Sequence, residues 1–234
     1  MKIVIISKDQ PKFIDAIEEK VSNFDHIFVI DRPTVEYRIP KNSIMNFAGE
    51  GFLAGRMRDM GASLFGNDDI LFLDGDKAPI GEDLSFLDTL PYDCIVLPCE
   101  NDRYRDEGYF KEEVGAIPNN NDYNTNFKNP FFTCGILYRK KLVEKLREIN
   151  GGRIFNSVFD GNWGEEDRWN GDIINFLGFS AGYTTKIKLS GIVDGCDLEN
   201  CIAAKNVTDR HVQYAINSMK RMNLRKKYFG DFCK

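Results

Sequence analysis

The chain opens on an unbroken apolar run. Lys2-Ile3-Val4-Ile5-Ile6 shows no alternation with polar residues, as expected of a strand covered on both faces. Pro11 is placed to open a helix over 12–22, where Phe13, Ile14, Ile17 and Val21 recur at helical spacing. A second apolar run, His26-Ile27-Phe28-Val29-Ile30, predicts a strand stopped by Asp31-Arg32-Pro33. Helical spacing returns over 48–65, with Phe52, Leu53, Met57 and Met60 on one side. Ile70-Leu71-Phe72-Leu73 and Cys94-Ile95-Val96-Leu97 predict a third and a fourth strand, the latter ended by Pro98. Strands alternating with helices imply βαβ units and a mainly parallel sheet.

The second half is less regular. Residues 102–130 are polar and rich in Asn, the pattern of a long loop, and long loops in compact domains are usually functional or mobile. Phe131 to Tyr138 reads as a strand, Lys140 to Ile149 as a helix broken by Gly151-Gly152, and Asp172 to Phe179 as a further helix. Over 211–224, Val212, Ala215, Ile216, Met219 and Met222 recur at helical spacing. They predict an amphipathic helix with its apolar stripe inward and a basic far side. There is no internal repeat and no low-complexity linker.

Composition narrows the class. The 234 residues are 42% hydrophobic and 29% charged, ordinary for a globular protein. No apolar run approaches the roughly 20 residues of a spanning helix, and the N-terminus lacks the apolar stretch of a signal peptide. The expectation is therefore a cytoplasmic protein without a membrane span. Six cysteines at 94, 99, 134, 196, 201 and 233 form no C-x-x-C pair and no zinc-spaced cluster, so reduced thiols are expected. The net charge of −5 disfavours a nucleic-acid footprint over the whole protein. Charge is unevenly spread, however: Lys205 to Lys234 holds eight basic and two acidic residues. Such a tail is either a solvated helix face or a surface for an anionic partner.

Two constellations carry chemistry. Asp74-Gly75-Asp76 directly follows the strand at 70–73, at the sheet edge where open α/β folds bind ligands. Two carboxylates spaced by one residue repel unless a cation lies between them, and hard divalent ions take oxygen ligands of this kind. The plainer reading is an acidic turn, since Asp-Gly is common in turns. Trp163-Gly164-Glu165-Glu166-Asp167 sets three consecutive acids beside a Trp and a Gly. Neighbouring carboxylates push each other's pKa apart, which suits one of them to act as a base. The plainer reading here is acidic residues favouring the dipole of the next helix.

The order of these elements resembles the GT-A class of nucleotide-sugar glycosyltransferases over residues 2–217. Arg58-Asp59-Met60-Gly61 resembles that class's Arg-Asn-x-Gly helix, and Leu71-Phe72-Leu73-Asp74-Gly75-Asp76 its DxD strand. Phe132-Thr133-Cys134-Gly135-Ile136-Leu137-Tyr138-Arg139 is similar to the strand whose Gly lies under the donor sugar. Phe159 to Asp167 resembles the Trp-Gly-Gly-Glu-Asp motif of galactosyl- and GalNAc-transferase-like members, with Glu165 in place of the second Gly. Asp59 for Asn and Cys134 for Gly are the other departures.

The resemblance implies a Rossmann-like, mainly parallel α/β sheet flanked by helices, forming one domain over 1–234. Its nucleotide-binding half would be 1–100, and its acceptor-binding half 101–234 would end in the basic helix. It implies transfer of a sugar from a nucleotide sugar, a UDP-sugar by preference, to a hydroxyl acceptor with Mn²⁺ or Mg²⁺. Donor contacts would come from Asp31, Arg58, Asp74 and Gly135, with Asp76 and Asp74 on the metal and His211 as a third ligand. Trp163 and Glu166 would hold the acceptor. Asp167 would be the base of an inverting reaction. The acceptor would be a glycan or a hydroxymethylated base in phage-type DNA. Arg221, Arg225, Lys226 and Lys227 would face either the donor diphosphate or the phosphates of such an acceptor. Two other readings compete: a haloacid-dehalogenase-type phosphatase, and a non-catalytic module of the same fold that binds glycan or nucleic acid.

Overall fold

The computed structural model describes residues 1–7, 11–31, 38–46, 54–99, 110–118, 131, 134–160, 164–190 and 207–230, with backbone only at 11–13 and 207–211. The order is β1 (Lys2–Ser7), α1 (Pro11–Val21), β2 (Asp25–Asp31), β3 (Ser43–Asn46), α2 (Ala54–Ala62), β4 (Ile70–Asp74) and β5 (Ala78–Gly81). Then come β6 (Cys94–Val96), β7 (Val114–Ala116), β8 (Gly135–Tyr138), α3 (Lys140–Ile149), α4 (Glu166–Leu177), β9 (Ala181–Thr184), β10 (Ile187–Ser190) and α5 (Val207–Phe229). Short 3₁₀ turns occupy Leu84–Thr89 and Ser157–Phe159.

The main sheet runs β3-β2-β1-β4-β8-β6-β9-β7. β2, β1 and β4 pair in parallel, as do β2 with β3 and β6 with β9. β8 is antiparallel to both of its neighbours, and β7 is antiparallel to β9. Every strand of this sheet except β7 and β8 thus points the same way. This is the Rossmann-like, mainly parallel α/β arrangement expected from the sequence. β5 and β10 form a separate antiparallel ribbon.

The pleat of β1 explains its unbroken apolar run. Val4 and Ile6 pack on one side with Met57 and Ala62 of α2, while Ile3 and Ile5 pack on the other with Ile14, Ile17 and Val21 of α1. β4 divides likewise, Ile70 and Phe72 to one layer and Leu71 and Leu73 to the other. A strand between two helical layers has no solvent face to hold polar residues. Gly61 lets α2 lie close on this sheet: a Cβ there would sit 2.5 Å from Val4 Cγ1 and 3.1 Å from Val29 Cγ2.

Three expectations are corrected. The helix expected at 172–179 begins six residues earlier, at Glu166, and ends at Leu177. Its start is hidden in the sequence because Gly164 and Glu165 turn the chain through the left-handed region immediately before it. The final helix extends over Val207–Phe229, longer than 211–224, and its expected faces are reversed. Val212 is 56% exposed and Met219 69%, with Ile216 and Met222 also exposed, while Asn217 and Arg225 are buried. Third, β3, β5, β7, β9 and β10 have no counterpart among the expected strands. They are three or four residues long and, unlike the equally short β6 and β8, do not lie in apolar runs. Most of the 102–130 segment lies outside the described residues.

Gly61→Ala should lower the urea midpoint by the equivalent of about 1–3 kcal/mol, because its methyl would overpack the contact with Val4 and Val29. An unchanged midpoint would mean that α2 can shift on the sheet without cost.

Candidate active site

The parallel strands deliver their C-terminal ends to one edge, where Ser7, Asp31, Asn46 and Asp74 end β1, β2, β3 and β4. Asp31 is fully buried and accepts a 2.9 Å hydrogen bond from Asn46 Nδ2, its neighbour in the β2–β3 register. The turn after β4 is pinned to the sheet. Gly75 N donates to Ile6 O at 2.7 Å, and Asp74 N to Cys134 O at 3.0 Å. A Cβ at Gly75 would meet Ser7 Cβ at 2.7 Å and Ile6 O at 2.8 Å, so the glycine between the two aspartates is required by close backbone approach. Asp76 sits at the mouth of the turn, 40% exposed, and Lys77 Nζ lies 2.9 Å from its Oδ1. Burial opposes the charge on Lys77, but Cys134, Asp74 and Asp76 outweigh it and hold the ammonium's pKa above its ordinary value.

Arg58 joins this turn to the acidic segment. Its side chain is 4% exposed, and Nη2 donates to Asp74 Oδ1 at 2.8 Å while Nη1 donates to Glu166 Oε1 at 3.1 Å. The guanidinium also lies over the Phe155 ring, 5.7 Å from its centroid. Gly55, one turn earlier on α2, leaves room for Glu166: a Cβ there would touch Glu166 Cγ at 3.3 Å. Glu166 and Asp167 are the first two residues of α4. Glu166 is buried, and its carboxyl is pushed up to about 7 by burial and by the charge of Asp167, against the pull of Arg58. Asp167 is partly buried, and burial raises its pKa despite Arg58 and Arg168. The pair therefore holds a proton more tightly than free carboxylates do.

The turn before Glu166 is held by α5. Gly164 and Glu165 have φ of 86° and 75°, and a glutamate in the left-handed region is costly unless its surroundings determine it. Here they do. Asn217 Nδ2 donates to Gly164 O at 2.9 Å, and the Tyr214 ring lies where a Cβ on Gly164 would touch it at 3.1 Å. The Glu165 side chain, 1% exposed, lies 3.0 Å from Arg168 Nη1 and 2.9 Å from Arg221 Nη1. Burial raises the Glu165 pKa, but Arg221, Tyr214 and Arg168 overcome this and hold it below its ordinary value. Arg221 also makes a bidentate pair with Asp172, Nε to Oδ2 at 2.7 Å and Nη2 to Oδ1 at 2.8 Å.

The sequence-predicted residues thus separate into groups. Asp74, Arg58, Glu166 and Asp167 come together, with Asp76 beside them at the turn and Asp31 on the same edge. Gly135 also reaches this edge, opposite Leu73. A Cβ at Gly135 would point toward Leu189 Cδ1 at 2.5 Å and Leu97 Cβ at 3.0 Å, so core packing accounts for the glycine. Arg221 and Arg225 do not face outward as expected for a nucleic-acid grip. Arg221 is spent on Asp172 and Glu165, and Arg225 is buried with Nε 3.8 Å from Asp172 Oδ2. Lys226 and Lys227 remain exposed. Trp163 and the side chain of His211 lie outside the described residues.

The sequence marks neither Lys77 nor Gly55 nor the inward face that Tyr214 and Asn217 share with Arg221, whose guanidinium it assigns to an anionic ligand instead. The 3- and 4-residue spacing of that face was the one available signal, and the apolar stripe opposite obscured it. Among the described residues no three metal-ligating side chains cluster. Asp74 and Asp76 nevertheless fit a divalent cation of the kind that is bound through one or two carboxylates and completed by substrate phosphates and water. Each has one oxygen paired to a cationic side chain.

No protein-family model matches the chain, and no curated protein matches it. Among solved structures, its fold is similar to a Bacillus anthracis protein assigned as a glucose-1-phosphate thymidylyltransferase, in complex with sucrose. The identity is 11% and the TM-score 0.46, over 79% of this chain and 86% of that one. It is also similar to the galactosyltransferase LgtC in complex with donor and acceptor sugar analogues, with 14% identity and a TM-score of 0.32 over 78% of this chain and 73% of that one. The likeness is one of fold alone. No helix among the described residues is long and apolar enough to cross a membrane.

Two outcomes follow from this geometry. Glu166 binds its proton more tightly folded, at about 7, than unfolded, near 4.5. Its contribution to stability is therefore complete below pH 4.5 and is lost as pH rises through 7. Between about pH 5 and 8 the melting temperature of the wild type should fall more than that of Glu166→Gln; parallel curves would place the titration elsewhere. Arg221→Ala should cost about 3–5 kcal/mol in denaturant unfolding, since it removes the bidentate partner of buried Asp172 and one of the two arginines at buried Glu165. A loss below about 1 kcal/mol would show that Arg168 and Arg225 suffice.

Proposed function

We propose that the chain is a metal-dependent glycosyltransferase that moves a sugar from a nucleotide sugar, a UDP-sugar by preference, to a hydroxyl acceptor. The observation that carries this reading is Arg58, whose buried guanidinium ties Asp74 of the Asp-Gly-Asp turn to Glu166 of the acidic helix start. A turn suited to a diphosphate and its cation is thereby held beside carboxyls suited to a sugar hydroxyl. The elevated affinity of Glu166 and Asp167 for protons favours the same reading, because a base works best with a pKa near the working pH.

In this reading Asp31 accepts a hydrogen bond from the base or ribose of the nucleotide. Asp76 and Asp74 hold Mn²⁺ or Mg²⁺. When bound, the cation supplies Lewis-acid stabilisation of the diphosphate leaving group. Glu166 accepts a hydrogen bond from the acceptor and fixes its orientation. Asp167 takes the proton from the attacking hydroxyl as the anomeric carbon bonds to that oxygen and its bond to the diphosphate breaks, with inversion at the sugar. The acceptor is a glycan or a hydroxymethylated base. With Arg221 and Arg225 engaged inside the fold, the exposed Lys226 and Lys227 are the part of the expected basic group that a nucleic-acid acceptor would meet.

Calorimetric titration with UDP-, GDP- and dTDP-sugars, with and without Mn²⁺, tests the class. One donor should bind in a manganese-dependent manner, and Asp76→Ala should abolish that dependence. Asp167→Asn should leave donor binding intact while slowing transfer about 10²–10⁴-fold, the usual worth of a positioned base. Binding of no donor at all would overturn the reading, and transfer by Asp167→Asn at the normal rate would reassign the base.

A further inference from the structure

Lys77 stands next to Asp76 and has no part in the roles above. Its ammonium lies 2.9 Å from Asp76 Oδ1, and its side chain is only 21% exposed. Together, the three acids Asp74, Asp76 and Glu166 are paired with two cations, Arg58 and Lys77. The two cations differ in kind. Arg58 is locked, with a side chain 4% exposed, two carboxylate partners and an aromatic ring beneath it. Lys77 is a compact charge on a rotatable four-carbon stem. Among the described residues, its one ion pair under 4 Å is to the most exposed of the three carboxylates.

A divalent cation on Asp76 and an ammonium on the same carboxylate repel each other. One of them must leave or find another anion. A diphosphate is the natural recipient, because phosphate oxygens accept charge-assisted hydrogen bonds from Lys. We propose that Lys77 is a built-in competitor for the divalent cation at Asp76, and that it yields that carboxylate when a nucleotide diphosphate takes up its ammonium. The inference rests on the reading of Asp74 and Asp76 as the metal-holding pair. Its consequence is coupling: nucleotide strengthens cation binding, and by thermodynamic reciprocity the cation strengthens nucleotide binding by the same factor.

The turn itself is held by backbone bonds from Gly75 to Ile6 and from Asp74 to Cys134, so replacing the Lys77 side chain leaves those contacts in place. The experiment titrates Mn²⁺ into wild type, Lys77→Met, Lys77→Arg and Asp76→Asn, first alone and then with UDP. Free Mn²⁺ is followed by its spin-resonance signal, and each variant's melting temperature serves as the folding control. Lys77→Met should bind Mn²⁺ alone about tenfold more tightly than wild type, the effect of removing one competing charge worth about 1.4 kcal/mol. It should also show a smaller gain on adding UDP, while Lys77→Arg keeps the wild-type pattern. Unchanged Mn²⁺ affinity in Lys77→Met, with binding lost in Asp76→Asn, would overturn the competition and leave the metal-holding pair standing. Tighter Mn²⁺ binding with the UDP gain undiminished would overturn it too, reducing Lys77 to a background charge. Undiminished binding in Asp76→Asn would instead remove the metal-holding pair, and the inference with it.

Discussion

A guanidinium buried beneath the sheet edge must be neutralised where it stands, because water cannot reach it. Arg58 meets this constraint with two carboxylates from distant parts of the chain, Asp74 at the close of β4 and Glu166 at the start of α4. The arrangement is mutual. Without Arg58, Asp74 and Glu166 would lose their shared cation. Without either carboxylate, a charge would be left unpaired in the interior. The position of α4 on the sheet, and hence of Asp167 beside Glu166, follows from satisfying that one side chain. The Phe155 ring beneath it and the absence of a side chain at Gly55 give the pair the space it needs.

A second layer of charge holds the same segment from the other side. Glu165 adopts a backbone conformation that few residues other than glycine take, and it is kept there by Arg168 and Arg221. Arg221 reaches Asp172 as well, so α5 is fastened along the first half of α4. This explains why α5 turns its basic face inward and its Val212, Ile216, Met219 and Met222 outward. Glu165 and Asp172 are buried carboxylates that require cations, and the four apolar side chains are on the face left outward. The last helix is thus part of the support for the acid pair rather than a free basic tail.

Asp59 shows the same logic on a smaller scale. It receives Arg153 and the backbone amides of Ile154 and Phe155, and burial still pushes its carboxyl up to about 6. Arg153 continues to Asp160. The segment that carries Phe155 is therefore tied to α2 next to Arg58, and the ring is held where the guanidinium lies. An aspartate in this position of the helix motif serves as an acceptor for backbone and arginine together.

The amino-acid sequence by itself determined the layered α/β core, because β1, β2 and β4 are buried on both faces and such strands are written as unbroken apolar runs. It also determined the two acidic constellations and the sheet edge that the first of them occupies, since the spacing of Asp74 and Asp76 and their place after a strand are local properties. The meeting of those constellations was not local. Arg58 and Glu166 stand 108 positions apart, and nothing in either neighbourhood marks them as partners. The start of α4 was likewise hidden, because a left-handed glutamate has no signature apart from the ion pairs that hold it. The facing of α5 was decided against its own hydrophobic pattern by carboxylates on another helix. Periodicity reports which side of an element is apolar, but only the folded arrangement decides which buried charges must be answered first.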